Sequence, residues 1–486
     1  MRWIDLGVIA AYLAAITWFG ARFRHSQHSL KDYFLGGRRA PWWAIALSIV
    51  SAETSTLTVI GTPALSFTGN FGFLQLVFGY LLARLVISTL FLPAYFRGEM
   101  YTAYELMRRR FGNRIRRLTA GTFLVLRALA EGVRVFAISI VISIVLGTGE
   151  MASIGFIVCL TLLYTYEGGM TAVIWTDVVQ MVLYVAGAGV SLYAILGEIP
   201  GGWSHVTSLA EPLGKLQIFD FRLGPGFFTR NYTFWSGLIG GCFLTTASHG
   251  TEQLLVQRLL AAQNERESRT ALFASWAVIF IQFTLFLIVG LCLFAYYTDH
   301  GLQTPAVTDS IYPRFIWEHL PVGVAGLVIA AILAAAMSNL SAALNSLAST
   351  TVMDFWRPLT GSAGSTDESK WLKRARRTTI LWGAILFGVA LLARNWGGVL
   401  QAGLSIASII YGSLLGVFLL GLLTKRVGEV AAMVGMSAGL ALMLYVRFAT
   451  PIAFTWYVLI GTSTTFIVGW LASFFFKQRN LAQGDN

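Results

Sequence analysis

Charge is what this chain has least of. Aspartate, glutamate, lysine and arginine together make up 12% of its 486 residues, about half the share found in soluble domains. So few charges cannot cover a water-facing surface of this length, which argues against a soluble enzyme or scaffold. Cysteine is also scarce. Cys159, Cys242 and Cys292 all fall in apolar stretches, so neither a disulfide framework nor a cysteine metal cluster is expected.

Acidic residues are the scarcer sign, 23 against 35 Lys and Arg, for a formal net charge of +12. Such an excess can mark a nucleic-acid binder, but its placement argues otherwise. Most of the basic residues fall in alternate loops between hydrophobic runs, the positive-inside pattern that orients a membrane protein. The first run has one Arg before it, basic residues after it and no small-residue cleavage site, so no removable signal peptide is expected.

What is abundant is apolar: 56% of residues are hydrophobic and the mean hydropathy is +0.68. Runs long enough to cross a bilayer predict thirteen spans, near residues 3–21, 42–67, 72–96, 118–147, 151–167, 172–197, 232–256, 270–297, 320–354, 378–394, 398–423, 428–448 and 452–476. Arg22, Arg24, Lys31, Arg38 and Arg39 follow the first, which puts the N-terminus outside. Lys477 and Arg479 put the C-terminus in the cytoplasm. The expected fold is an all-α polytopic membrane protein in the cell membrane, with the lipid bilayer as its solvent.

Two of these runs are interrupted by polar residues. The first reads Ser48-Ile49-Val50-Ser51-Ala52-Glu53-Thr54-Ser55-Thr56, and the second spans Gly240–Thr251 with Thr245, Thr246, Ser248 and His249. Lipid offers no hydrogen bonds, so broken helices persist only beside protein or a water-filled cavity. Two breaks in corresponding places of two halves point to the central site of a secondary transporter. The organisation expected is an extra span and basic loop over 1–40, then an inverted-repeat transport core over 41–425. Its 5+5 repeats cover about 41–197 and 232–425, and two further spans fill 426–486.

Several stretches, in order, resemble the sodium/solute symporters. They are Asp32–Arg38, Tyr166–Met170 leading to Ile174–Gln180, Gln257–Ala262, Ala335–Ser346 and Val417–Gly421. The resemblance covers roughly residues 30–425. It implies a leucine-transporter-type fold and uptake of a solute coupled to Na⁺, in a family whose members carry sugars, proline, sialic acid, pantothenate or carboxylates.

The resemblance also implies sites. The family's commonest sodium site would fall on the carbonyls of Leu47, Val50 and Ala335 with the side chains of Ser338 and Asn339. Asn339 stands where Ser or Thr is usual. In some members a second sodium lies between an Asp and three serines. This chain offers Asp177, Ser338 and Ser341, with Ala342 at the third place. The plainer alternatives are small-residue helix packing and a capped carboxylate near a helix start.

For the solute, Arg127, Glu131 and Arg134 are four and three apart and share a helix face. They carry one net positive charge, and an Arg fork suits a carboxylate. In sialic-acid carriers an Arg of this span binds the substrate carboxylate, and Arg134 resembles it. A structural cluster is the alternative. Ser51, Thr54, Gln75, Thr245, Ser248 and His249 complete the expected solute site, although a lone His is more often a satisfied polar residue. Arg84 could pair with either Glu131 or Glu53.

The function expected is import of a small organic solute by alternating access, the solute carrying a carboxylate of the sialic-acid, organic-acid or amino-acid class. Its partners are that solute and Na⁺, without nucleic acid. Proton coupling and a sodium/sugar symporter are the alternatives, the latter opposed by Leu81 where sugar carriers show Glu. An enzyme is disfavoured because no His–Asp, Cys–His or metal-ligand cluster appears.

Overall fold

The computed structural model describes residues 2–21, 36–97, 103–164, 170–356 and 368–476. Parts of the motifs quoted above, Asp32–Leu35 and Tyr166–Gly169, lie outside these residues, as do Lys477, Arg479 and the side chains of Ser338 and Asn345. The described chain is helical, as a bilayer requires when every backbone N–H and C=O must find a partner within the protein.

The helices run α1 (Trp3–Ala21), α2 (Trp42–Glu53), α3 (Thr56–Thr68), α4 (Leu74–Phe96), α5 (Ala103–Arg110), α6 (Asn113–Leu146), α7 (Glu150–Tyr164), α8 (Met170–Glu198) and α9 (Gly202–Ala210). They continue with α10 (Gly241–Thr251), α11 (Gln253–Leu260), α12 (Glu265–Asp299), α13 (Ile311–His319), α14 (Val324–Thr350) and α15 (Glu368–Ala393). The last three are α16 (Val399–Leu423), α17 (Glu429–Ala449) and α18 (Tyr457–Ala472). By length and apolarity, nine of the thirteen expected spans qualify when α2 and α3 count as one. The other four positions hold shorter or interrupted helices: α1, α7, α15 and the α10–α11 segment.

Two of the connections between spans contain helices. α9 and α13 lie in the connections before α10 and before α14. Both are too short to give a span-length apolar signal, which is why the sequence pattern passed over them. α15 likewise begins at Glu368, inside the polar segment Trp356–Arg377.

Both helix breaks are present. The first falls at Thr54–Ser55, where α2 and α3 meet at a bend of 65°. Thr54 has φ −86°, ψ 85° and Ser55 is extended. The break leaves backbone groups that local side chains help to satisfy: the Thr58 hydroxyl donates to the Glu53 carbonyl at 3.3 Å. The second break sits at Glu252, extended at φ −85°, ψ 126°, one residue beyond the stretch the sequence singled out. The five residues Ser236–Gly240 ahead of it form a π-turn.

The bent pair is enclosed. α12 packs along both α2 and α3, α8 lies on α2, and α10 crosses α4. Gly290 of α12 makes its crossing with α3 close: a Cβ there would sit 2.0 Å from the Pro63 carbonyl oxygen. The far end of α3 is held by Lys215, buried in the loop after α9, whose ammonium donates to the carbonyls of Phe67 at 2.7 Å and Gly69 at 3.2 Å. At the start of α14, Asp5 of α1 accepts the N–H groups of Gly323 and Gly326 at 2.7 and 2.8 Å. It thereby satisfies helix-end donors that have no intrahelical partner.

Gly290→Ala tests the α3–α12 approach. Overpacking of this kind costs about 1–3 kcal/mol, so the thermal midpoint of the purified protein should fall. Gly388→Ala, where a Cβ meets nothing within 4 Å, should leave it unchanged or slightly raised.

Candidate functional site

A cavity of about 150 Å³ lies where the two breaks approach each other. Its walls include Glu53, Ser55 and Thr58 beside the first break, and Thr245, Ser248, His249 and Glu252 beside the second. Arg127 and Arg134 of α6 and Tyr411 of α16 add to its polar lining. Phe73 and Phe283, with ring centroids 4.9 Å apart, close one side. Tyr104 and Thr119, next to the basic residues of α5 and early α6, line the other end.

Charged groups are organised in three clusters. In the first, Glu53 joins the two halves. Its Oε1 lies 2.6 Å from Nε2 of His249, and its Oε2 lies 3.3 Å from Arg84. Arg84 is fully buried and also donates to the Leu272 carbonyl and the Ser275 hydroxyl at 3.0 and 3.2 Å. Of the two carboxylates open to Arg84, the fold selects Glu53.

In the second cluster, Glu131 Oε1 takes Arg127 at 2.8 Å and Arg134 at 2.7 Å. Arg127 also reaches Glu252 at 3.1 Å, and Glu252 accepts the Tyr411 hydroxyl. The positive surplus expected from Arg127, Glu131 and Arg134 is therefore cancelled by Glu252, far away in sequence. Unused donor capacity remains on Arg134, whose side chain is 25% exposed and whose buried Nε has no hydrogen-bond partner.

In the third, Asp177 of α8 accepts the Ser48 hydroxyl at 2.6 Å and Arg258 of α11 at 2.9 Å. Ser51 bonds to the same carboxylate. Arg258 also reaches Ser48 at 2.9 Å. This cluster ties α2, α8 and α11 together. A buried ion pair is strongly destabilised when one partner is removed.

Not every expected solute residue reaches the cavity. Arg134, Thr245, Ser248 and His249 line it. Ser51 is turned to Asp177. Thr54 is held by Gln282 of α12, which donates from Nε2 at 2.7 Å. Gln75, on α4, is bonded to the loop before α10: its amide donates to the Tyr232 carbonyl at 3.0 Å, and its oxygen accepts the Asp220 N–H at 2.9 Å. In that loop, hydrogen bonds from Arg222 hold the Asp220 carboxylate down at about 2.

Of the expected sodium ligands, Leu47 and Val50 sit on the turn of α2 before the break, and the Val50 carbonyl accepts the Thr54 N–H at 2.8 Å. Ala335 is buried on α14. Asn339 lines a small void with Ser55, Thr56, Glu131 and Arg134. Ser341 is half-buried on the same helix.

Sequence reasoning missed the roles of Glu252, Tyr411, Arg258 and Gln282. Each acts on a partner far away in the chain. For Glu252, Tyr411 and Gln282 the one local signal was a polar side chain inside an otherwise apolar span; Arg258 follows such a span, within the Gln257–Ala262 motif.

The chain is similar to known proteins over most of its length. Residues 33–439 match the sequence profile of the sodium:solute symporter family. The chain is 30% identical to the human sodium/iodide cotransporter, covering 91% of this chain and 69% of that one. It is 29% identical to the sodium/sialic acid symporter NanT of Aliivibrio fischeri, covering 96% and 92%, and 30% identical to the human sodium-coupled monocarboxylate transporter 1, covering 90% and 72%. Among solved structures, a substrate-bound, outward-open Na⁺-coupled sialic acid symporter superposes with a TM-score of 0.82. It has 27% identity over 98% of each chain.

The Asp177–Arg258 pair is open to a double-mutant cycle. Asp177→Asn or Arg258→Gln alone should each cost on the order of 3–5 kcal/mol. The double variant should lose clearly less than the sum in chemical denaturation, whereas strict additivity would mean that the two do not interact.

Proposed function

The chain belongs to the sodium:solute symporter family, and on that premise we propose that it imports a small carboxylate solute together with Na⁺ by alternating access. The observation that carries the solute class is Arg134. It stands in the cavity wall between the two helix breaks, anchored on one side by Glu131 and with its Nε unpartnered. A planar guanidinium held in this way can accept a second carboxylate on its free edge. Relatives named for sialic acid and for monocarboxylates support an anion of this type. A cavity of about 150 Å³ is of the size that accommodates a benzene-sized molecule, which favours a compact organic acid in this conformation.

Electrostatics supply a reason for coupling. Around the cavity, Arg84, Arg127 and Arg134 are matched by Glu53, Glu131 and Glu252. An anionic solute entering a site already at balance brings an uncompensated charge into low dielectric. A sodium ion bound nearby restores neutrality. We assign that ion to the carbonyls of Leu47, Val50 and Ala335 and the side chains of Ser338 and Asn339. The position of Asn339 in the void beside Ser55 and Thr56 supports this assignment. Asp177 and Ser341 remain the candidates for a second ion, but Arg258 already neutralises Asp177, which favours a single sodium per cycle.

Thr245, Ser248 and His249 are assigned to the solute from the side of the second break. Ser51, Thr54 and Gln75 act indirectly, by holding the first break and the loop above it. The repeats are taken as about 41–197 and 232–425, with residues 1–40 and 426–486 outside them. The positive-inside distribution supports an N-terminus outside and a C-terminus in the cytoplasm.

Arg134→Ala should weaken carboxylate binding about 10- to 100-fold, the range for a lost charge-assisted bond, while Na⁺ binding persists. Ser338→Ala should instead raise the Na⁺ concentration for half-maximal binding. Retained solute affinity in the first variant would leave Arg134 as a structural partner of Glu131.

A further inference from the structure

Glu131 is engaged through one of its two oxygens. Its Oε1 takes Arg127 at 2.8 Å and Arg134 at 2.7 Å. Its Oε2 is buried without a hydrogen-bond partner, on a residue that is 1% exposed. A buried acceptor left bare is rare in folded proteins and calls for an ion or a water molecule beside it.

The space for one is there. Glu131 lines the small void that also holds Asn339, and its volume of about 10 Å³ admits a single water-sized particle. The polar residues of its wall are Glu131 and Arg134 of α6, Ser55 and Thr56 at the first break, and Asn339 of α14; the remainder is aliphatic. Ser55 and Thr56 carry hydroxyls, Asn339 an amide oxygen, and Glu131 a carboxylate. Oxygens of these kinds are the ligands of hard cations. The side-chain oxygen of Asn339 also reaches one bond farther from the backbone than a Ser or Thr hydroxyl would.

The neighbourhood gives such an ion a second effect. Arg134 is anchored by Oε1 of Glu131 and lines both the void and the solute cavity. A cation at Oε2 offsets part of the charge that holds Arg134, and it repels the guanidinium within a low-dielectric wall. Both effects make the donors of Arg134 more available to a carboxylate in the cavity. Without the ion, Glu131 keeps the arginine to itself.

We propose that this void binds Na⁺ through Glu131, Ser55, Thr56 and Asn339, and that the bound ion primes Arg134 for the solute. The carbonyl ligands assigned above, Leu47, Val50 and Ala335, do not line it. It is therefore a second station for the coupling ion. Asn339 belongs to both stations, so one ion fills one of them at a time, and its single charge is set once against that of the solute. The site rests on the sodium coupling proposed above, and the priming rests on the carboxylate reading.

Equilibrium binding of radiolabelled Na⁺ to the purified protein, measured without solute, tests the site. Thr56→Val keeps the shape of the side chain and removes its oxygen, and it should raise the Kd for Na⁺ severalfold. Glu131→Gln keeps an oxygen for the arginines and removes the charge, and it should raise the Kd further. Thr56→Val decides alone if Glu131→Gln does not fold. Wild-type Na⁺ affinity in the variants would leave the void to a water molecule and overturn the proposal, while a wild type that binds no Na⁺ would overturn the sodium reading with it. Calorimetric titration with lactate and with N-acetylneuraminate at rising Na⁺ tests the priming. Wild-type affinity should rise with Na⁺, and Glu131→Gln should lose most of that dependence because Arg134 is no longer restrained. A dependence as steep as that of the wild type would overturn the priming. If neither probe binds the wild type, the carboxylate reading fails, and the Na⁺ measurement still decides the site.

Discussion

A helix broken inside a bilayer must find hydrogen-bond partners within the protein, since lipid supplies none. That requirement organises this molecule. The break at Thr54–Ser55 and the break at Glu252 are each surrounded by polar side chains from other helices: Gln282 on Thr54, Arg127 and Tyr411 on Glu252. Glu53 and His249 then bring the two breaks together across the cavity. Of these polar groups, Glu252, Arg127 and Tyr411 at the second break also line the cavity, whereas Thr54 and Gln282 at the first do not.

Balance of charge follows from the same requirement. Charges buried away from water persist when paired, and each arginine around the cavity has a glutamate beside it. A carrier whose empty site is electrically balanced binds an anion poorly by itself and better with a cation beside it. Obligatory co-binding of solute and ion is therefore an expected property of this arrangement. The Asp177–Arg258–Ser48 cluster has a separate role. It fastens α2 to α8 and α11, the contacts that must loosen if the inner half of the first broken helix is to move.

Much of this was legible in the chain. Apolar runs located the spans, because crossing a bilayer fixes a minimum length. Polar residues inside two of those runs located the breaks to within a residue or so. The Arg127–Glu131–Arg134 face was readable from helical spacing alone. What sequence could not supply is which side chains meet across spans. Glu252 cancels a charge carried 125 residues earlier, and Ser51, apolar-flanked and polar like Ser248, turns to Asp177 and away from the cavity. Short helices such as α9 and α13 escaped because their apolar stretches resemble ordinary loop sequence.

Joint loading of the site by a carboxylate and Na⁺ is the property on which the proposed transport cycle depends. Thermal unfolding of the purified wild-type protein, against small organic acids, sialic acid, amino acids and sugars with and without Na⁺, tests it most directly, because a ligand that binds the folded state raises its apparent stability. The midpoint should rise with a carboxylate only when Na⁺ is present. An equal rise without Na⁺, or a rise given by a neutral sugar, would contradict joint loading.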